Sequence, residues 1–175
     1  MASTFEELIE QRRREALAHI DRVPVAVLIW GPAVTSGSPV AASRGRLRAQ
    51  LNARGHLARF SEELIDPALP HSLLSQQVAQ ADAYDIVFAI PDSPAAIAEI
   101  YEFARLPGLA RKVVAFLDQS WDNGHDHGGA RRLEAEVACS IQTYSARNLP
   151  SSIVGPALEL VRRQQEFHYV SGRRY

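Results

Sequence analysis

A second cysteine is missing. Cys139 is the only thiol in 175 residues, which excludes an internal disulfide and argues against a secreted, stapled fold. A charge imbalance is missing as well. Nineteen basic residues face 20 acidic ones, for a formal net charge of -1, so no global field draws the chain to DNA, RNA or an anionic membrane. The longest apolar runs are strand-sized, far below the roughly 20 residues that span a bilayer. The opening MASTFEELIEQRRRE lacks the apolar core of a signal peptide. These absences predict a cytoplasmic protein with no membrane partner and no direct nucleic-acid partner. Internal repeats and low-complexity linkers are absent too. The composition that remains, 46% apolar and 22% charged, is that of one globular domain with a real core.

Periodicity predicts the order of elements. Residues 4–19 read as a helix, with Thr4 as cap and Glu7 completing a capping box. VAVLIW, residues 25–30, is apolar on both faces, as in a central parallel strand covered by helices. Further strands are predicted at 56–60, 85–90, 113–117 and 137–144. Helices are predicted at 43–53, 73–81, 95–105, 130–136 and 152–166. Strands alternating with helices of about ten residues imply an α/β domain, a flavodoxin-like or Rossmann-like three-layer sandwich on a mainly parallel five-stranded sheet. The expected division is a helical extension over 1–22, one domain over 23–167 and a polar, aromatic tail over 168–175.

In such sheets ligands bind beyond the carboxyl ends of the strands. Three connections therefore matter: 31–43, 91–95 and 118–128. The first is rich in donors. Gly31, Ser36, Gly37, Ser38 and Ser43 can present N–H and hydroxyl groups to an anion, with a helix start expected near Ser43 and Arg44, Arg46 and Arg48 close by. Neither GxxxxGK[ST] nor GxGxxG occurs, and a solvated loop with free arginines is the competing reading. The second connection holds Asp92, Ser93 and Pro94, with Ser93 expected to cap and Pro94 to open the next helix. Glu99 then falls in the second turn. A carboxylate there can orient a ribose hydroxyl, assist a leaving base or attack an anomeric carbon, where cleavage of an N-glycosidic bond builds positive charge. The plainer alternative is a solvated Glu99, or one paired with Arg105.

Other candidates carry less. Glu62 and Glu63 follow the second strand on the same side, as cleft carboxylates or as solvated acids. Asp82 and Asp85 stand on the amino side, where capping is expected. His125, Asp126 and His127 lack the spacing of a metal site, so no metal is expected. Trp30 and Trp121 are candidate stackers on a base, Trp121 as part of a lid. Cys139 reads as a small buried hydrophobe.

The first strand ending in WGP before a Ser/Gly-rich loop, and the third strand running into IPDSPAAIAEI, resemble the nucleoside 2-deoxyribosyltransferase-like group and its bacterial TIR-like and SLOG relatives. The resemblance covers about residues 23–118. It implies an N-glycosidic bond hydrolase or transferase acting on NAD or on a nucleoside or nucleotide. Glu99 would act at the sugar as nucleophile or oxocarbenium stabiliser. Asp92 and Ser93 would line the ribose pocket, and Gly31 and Pro32 would form the first-strand turn at the substrate. Trp30, Ser36, Gly37, Ser38 and Arg44 complete the expected substrate contacts. No cofactor is implied, NAD entering only as substrate. Partners compatible with the resemblance are a second copy of the chain and an activating protein of a bacterial defence system. The alternative is a noncatalytic nucleotide sensor or protein-interaction module on the same scaffold.

Overall fold

A computed structural model describes residues 4–106, 108–123 and 139–173. Its elements are α1 (Phe5–Ile20), β1 (Ala26–Trp30), α2 (Pro39–Ala53), β2 (Leu57–Phe60), α3 (Leu73–Ala83), β3 (Ile86–Ala89), α4 (Pro94–Ala104), β4 (Val113–Asp118), β5 (Ser140–Tyr144) and α5 (Ser151–Val170). The five strands form one sheet in the order β2-β1-β3-β4-β5, and every neighbouring pair is parallel. The α/β three-layer sandwich expected from the alternation of elements is therefore present.

Strand pleating sorts the core into two layers. Val27 and Ile29 of β1, Phe88 of β3 and Phe116 of β4 face Leu47 and Leu51 of α2 and Ile153, Ala157 and Val161 of α5. Leu28, Val87, Ala89, Ala115 and Leu117 face the other way, onto Ala81 of α3 and Ile97, Ile100 and Ala104 of α4. Burial on both faces is why β1, β3 and β4 read as continuous apolar runs.

Several boundaries depart from the periodicity. α2 begins at Pro39, four residues before the expected start. The Ser38 Oγ accepts from the Ala41 N–H at 3.1 Å, and Pro39 occupies the first helical position, where its missing N–H costs nothing. Ser43 is thus in the second turn, its hydroxyl donating to the Pro39 carbonyl at 2.7 Å. α5 continues through residues 168–170, assigned above to a tail. His168 is fully buried, with Nε2 3.5 Å from Asp85 Oδ1, while Asp85 Oδ2 accepts from the Ala26 N–H at 2.8 Å. This contact across the amino edge of the sheet holds the last turn of α5. Cys139 is buried just before β5, and its Sγ donates to the Val113 carbonyl at 3.3 Å. The helix expected at 130–136 and residues 137–138 lie outside the described residues.

α1 carries the expected capping box, Glu7 N–H to Thr4 Oγ1 at 3.3 Å and Thr4 N–H to Glu7 Oε2 at 2.8 Å, yet buries none of its residues. The chain after it is tied to α5 by Gln165, whose Nε2 donates to the carbonyls of Asp21 and Val23 at 3.1 and 2.8 Å. Among the described residues no helix is long and apolar enough to cross a membrane.

Candidate functional site

The strand order sets the location. From β1 the chain moves to β2 on one side, and β3 then lies on the other side of β1. The connections leaving β1 and β3 therefore diverge, and a crevice opens between them at the carboxyl edge. It holds a cavity of about 460 Å³.

Gly31 closes its floor. Its φ of +147° is a conformation that L side chains rarely adopt, and a Cβ there would stand 2.5 Å from the Ile90 carbonyl oxygen and 2.9 Å from Arg44 Cδ. The neighbouring Ile90 N–H donates to the Trp30 carbonyl at 3.0 Å, so β1 and β3 stay paired to the edge of the crevice. Gly31→Ala is expected to cost about 1–3 kcal/mol from backbone strain alone, before the clash with Ile90 is counted. The urea midpoint of unfolding reads this cost, and an unchanged midpoint would show that the turn does not close on Ile90.

The walls come from four segments. Trp30, Gly31, Pro32 and Ala33 follow β1, and Ile90, Pro91 and Asp92 follow β3. α4 contributes Ala96, Glu99, Ile100 and Phe103, a spacing of i, i+3, i+4 and i+7 that places them on one helical face. The remaining wall is Ser61, Glu62 and Ile65 after β2, with Leu73 and Gln77 of α3. Trp30 and Phe103 pack against each other, ring centroids 4.8 Å apart at 47°. The Trp30 Nε1 is buried and hydrogen-bonds to none of the described residues.

Five of the expected residues thus meet in one cavity: Trp30, Gly31, Pro32, Asp92 and Glu99. Glu99 is exposed, and no described residue hydrogen-bonds or ion-pairs with its carboxylate. Arg105 lies over the Tyr101 ring at 5.5 Å rather than on Glu99. Ser36, Gly37, Ser38, Arg44 and Ser93 are not in the described lining. Ser38 is occupied as the α2 cap. Ser93 stands at the N-cap position of α4, but its side chain makes no capping bond.

Arg44 differs most from the free cation anticipated beside an anion. It is fully buried. Nη2 donates to the Ile29 carbonyl at 3.0 Å and to both carboxylate oxygens of Glu62 at 3.2 and 3.0 Å, and Nη1 donates to the Pro32 carbonyl. The guanidinium also lies 4.5 Å from the centroid of the Phe60 ring. The charge thus ties the end of β1 to the segment after β2. Its neighbour Arg48 pairs with Glu63 outside the cavity.

The wall formed by Ile65, Leu73 and Gln77 has no signal in the sequence. Phe103 has one, its helical spacing from Glu99. Trp121, a candidate lid, instead packs against the core on the α4 face. His125, Asp126 and His127 lie outside the described residues, and no group of three or more potential metal ligands occurs among those described.

Further along the same edge, Tyr144 ends β5 opposite Asp118 of β4 and is buried. Burial, then the carboxylates of Asp118 and Asp92, push its phenol up to about 12. An unfolded tyrosine titrates at about 10, so the unfolded chain releases this proton first. The stability linked to Tyr144 is intact below pH 10 and is lost as pH rises from about 10 to about 12. Phenolate absorbance should show at least one of the five tyrosines titrating only as the fold opens. All five titrating together with the fold intact would refute the burial.

No protein-family model matches the chain, and no curated protein matches it in sequence.

Proposed function

We propose that this chain is an N-glycosidic bond hydrolase or transferase, related to the nucleoside 2-deoxyribosyltransferase-like, TIR-like and SLOG domains, with Glu99 acting at the sugar. The observation that carries the reading is that Glu99, Asp92 and Trp30 line one cavity at the β1/β3 switch point. Trp30 and Phe103 form an apolar wall against which a base can stack. Asp92 can accept from ribose hydroxyls. Glu99 can stabilise the positive charge that builds at C1′ as the bond to the base breaks, or attack that carbon. Tyr101, two places on, packs against the core and is not in the described lining.

Between the two substrate classes, nucleosides fit better than NAD. The described lining contains Glu62, Asp92 and Glu99 but no lysine, arginine or histidine to meet a pyrophosphate. The test is release of free base from a panel of nucleosides, nucleotides and NAD, followed by chromatography. Release that requires Glu99 supports the reading. Tight binding without turnover favours a sensor, and neither binding nor release favours an interaction module.

A further inference from the structure

The chemistry of the cavity narrows the ligand beyond the bond that is cut. We infer that the site takes a cationic, phosphate-free N-glycoside, one whose base is a quaternised aromatic ring. This rests on the glycosidic reading for its chemistry, while the charge preference rests on the cavity alone.

Two observations carry it. The first is charge. The carboxylates of Asp92 and Glu99 line the cavity with no ion-pair partner among the described residues, Glu62 is neutralised by Arg44, and the described lining has no cationic side chain. Arg44, the nearest buried cation, spends its Nη donors on Ile29, Pro32 and Glu62 and does not line the space. A phosphate entering there meets like charge without compensation. A cationic ring meets opposite charge, and Trp30 and Phe103 offer π faces that attract it further.

The second is that, with Asp92 and Glu99 acting as anions and Glu62 paired with Arg44, the described lining holds no other acid to protonate a leaving base. A neutral base leaves readily only when an acid protonates it. Apart from the three carboxylic side chains, the side-chain N–H and O–H groups of the described lining belong to Trp30, Ser61 and Gln77, none of them an acid, and no His, Lys, Cys or Tyr is among its described residues. A quaternised base needs no proton. When its C1′–N bond breaks, both electrons pass to the ring nitrogen and the base departs neutral. Water then forms the new C1′–O bond and gives its proton to solvent. The products are the free sugar, the neutral base and one proton, and the carboxylates stabilise the cationic carbon between the two events.

Four probes separate the contributions: nicotinamide riboside (cationic, no phosphate), nicotinamide mononucleotide (the same ring with a phosphate), NAD, and inosine (neutral, no phosphate). Base release and calorimetric binding are both measured on the full chain. Nicotinamide riboside is expected to exceed each of the others by at least about tenfold in kcat/KM and in affinity, the size of one modest charge–charge term. Asp92→Asn should narrow that preference several-fold, which a merely structural role for Asp92 would not do. Equal or better use of the mononucleotide or NAD would overturn the exclusion of phosphate. Equal use of inosine would overturn the requirement for a cation. Binding in the expected order with no base release would sink the glycosidic reading and leave the ligand class standing. Binding in no order, or none at all, would overturn the ligand class itself.

Discussion

Glu99→Gln is expected to lower base release by a factor on the order of 10²–10³, the usual loss when one preorganised charge-stabilising group is removed from a reacting centre. The substitution keeps the shape of the side chain and removes its negative charge. Because that charge matters most when C1′ becomes cationic, the loss should fall on kcat more than on KM. Stability should not follow. Glu99 is on the exposed part of α4 with no partner among the described residues, so the change in unfolding free energy should stay within about 0.5 kcal/mol. Glu102, one turn on and outside the described lining, is the matched control, and Glu102→Gln should leave turnover unchanged. Equal activity of wild type and Glu99→Gln would remove Glu99 from the mechanism.

Arg44→Met should act in the opposite manner, on the fold first. It leaves the carbonyls of Ile29 and Pro32 without their donor, at about 1–3 kcal/mol for each buried orphan. It also breaks the contacts with Glu62 and Phe60. A total of about 2–5 kcal/mol is expected, most of it from the two orphaned carbonyls, since Glu62 is half exposed and water can solvate it once unpaired. For a chain of this length, that lowers Tm by roughly 10 °C. Arg44→Lys should not restore it, because one ammonium on a flexible stem cannot reproduce the planar fork that reaches two carbonyls and a carboxylate. A melting temperature within about 2 °C of wild type would show that these bonds add little net stability.

These two residues mark how far the primary structure can be read. Glu99 is legible from local rules: a strand ends, a proline opens a helix, and a carboxylate falls in the second turn on the carboxyl side of the sheet. Its cavity neighbours Ala96, Ile100 and Phe103 follow from helical spacing. Arg44 is not legible, since one arginine among Arg44, Arg46 and Arg48 looks like another. Only the packing of α2 beneath the end of β1 buries the first and leaves Arg46 exposed. The run from Gly31 to Ser43 misleads for a related reason. Its prolines and glycines suggest continuous loop, yet Ser38 and Pro39 are ordinary residues for the start of a helix. Asp85 and His168 lie far apart in the chain, so their contact has no local trace, and with it goes the true end of α5.

By itself, then, the amino-acid sequence determined the α/β sandwich and the strand edge at which the cavity opens. A strand buried on both faces must be apolar throughout, and a helix must show its stripe; both are short-range patterns. Tertiary structure alone decided which carboxylates meet in one cavity, and that Arg44 faces carbonyls and Glu62 instead of a ligand. It also supplied the wall of Ile65, Leu73 and Gln77. Those outcomes depend on strand order and helix packing, which bring distant residues together through long-range burial that local pattern does not encode.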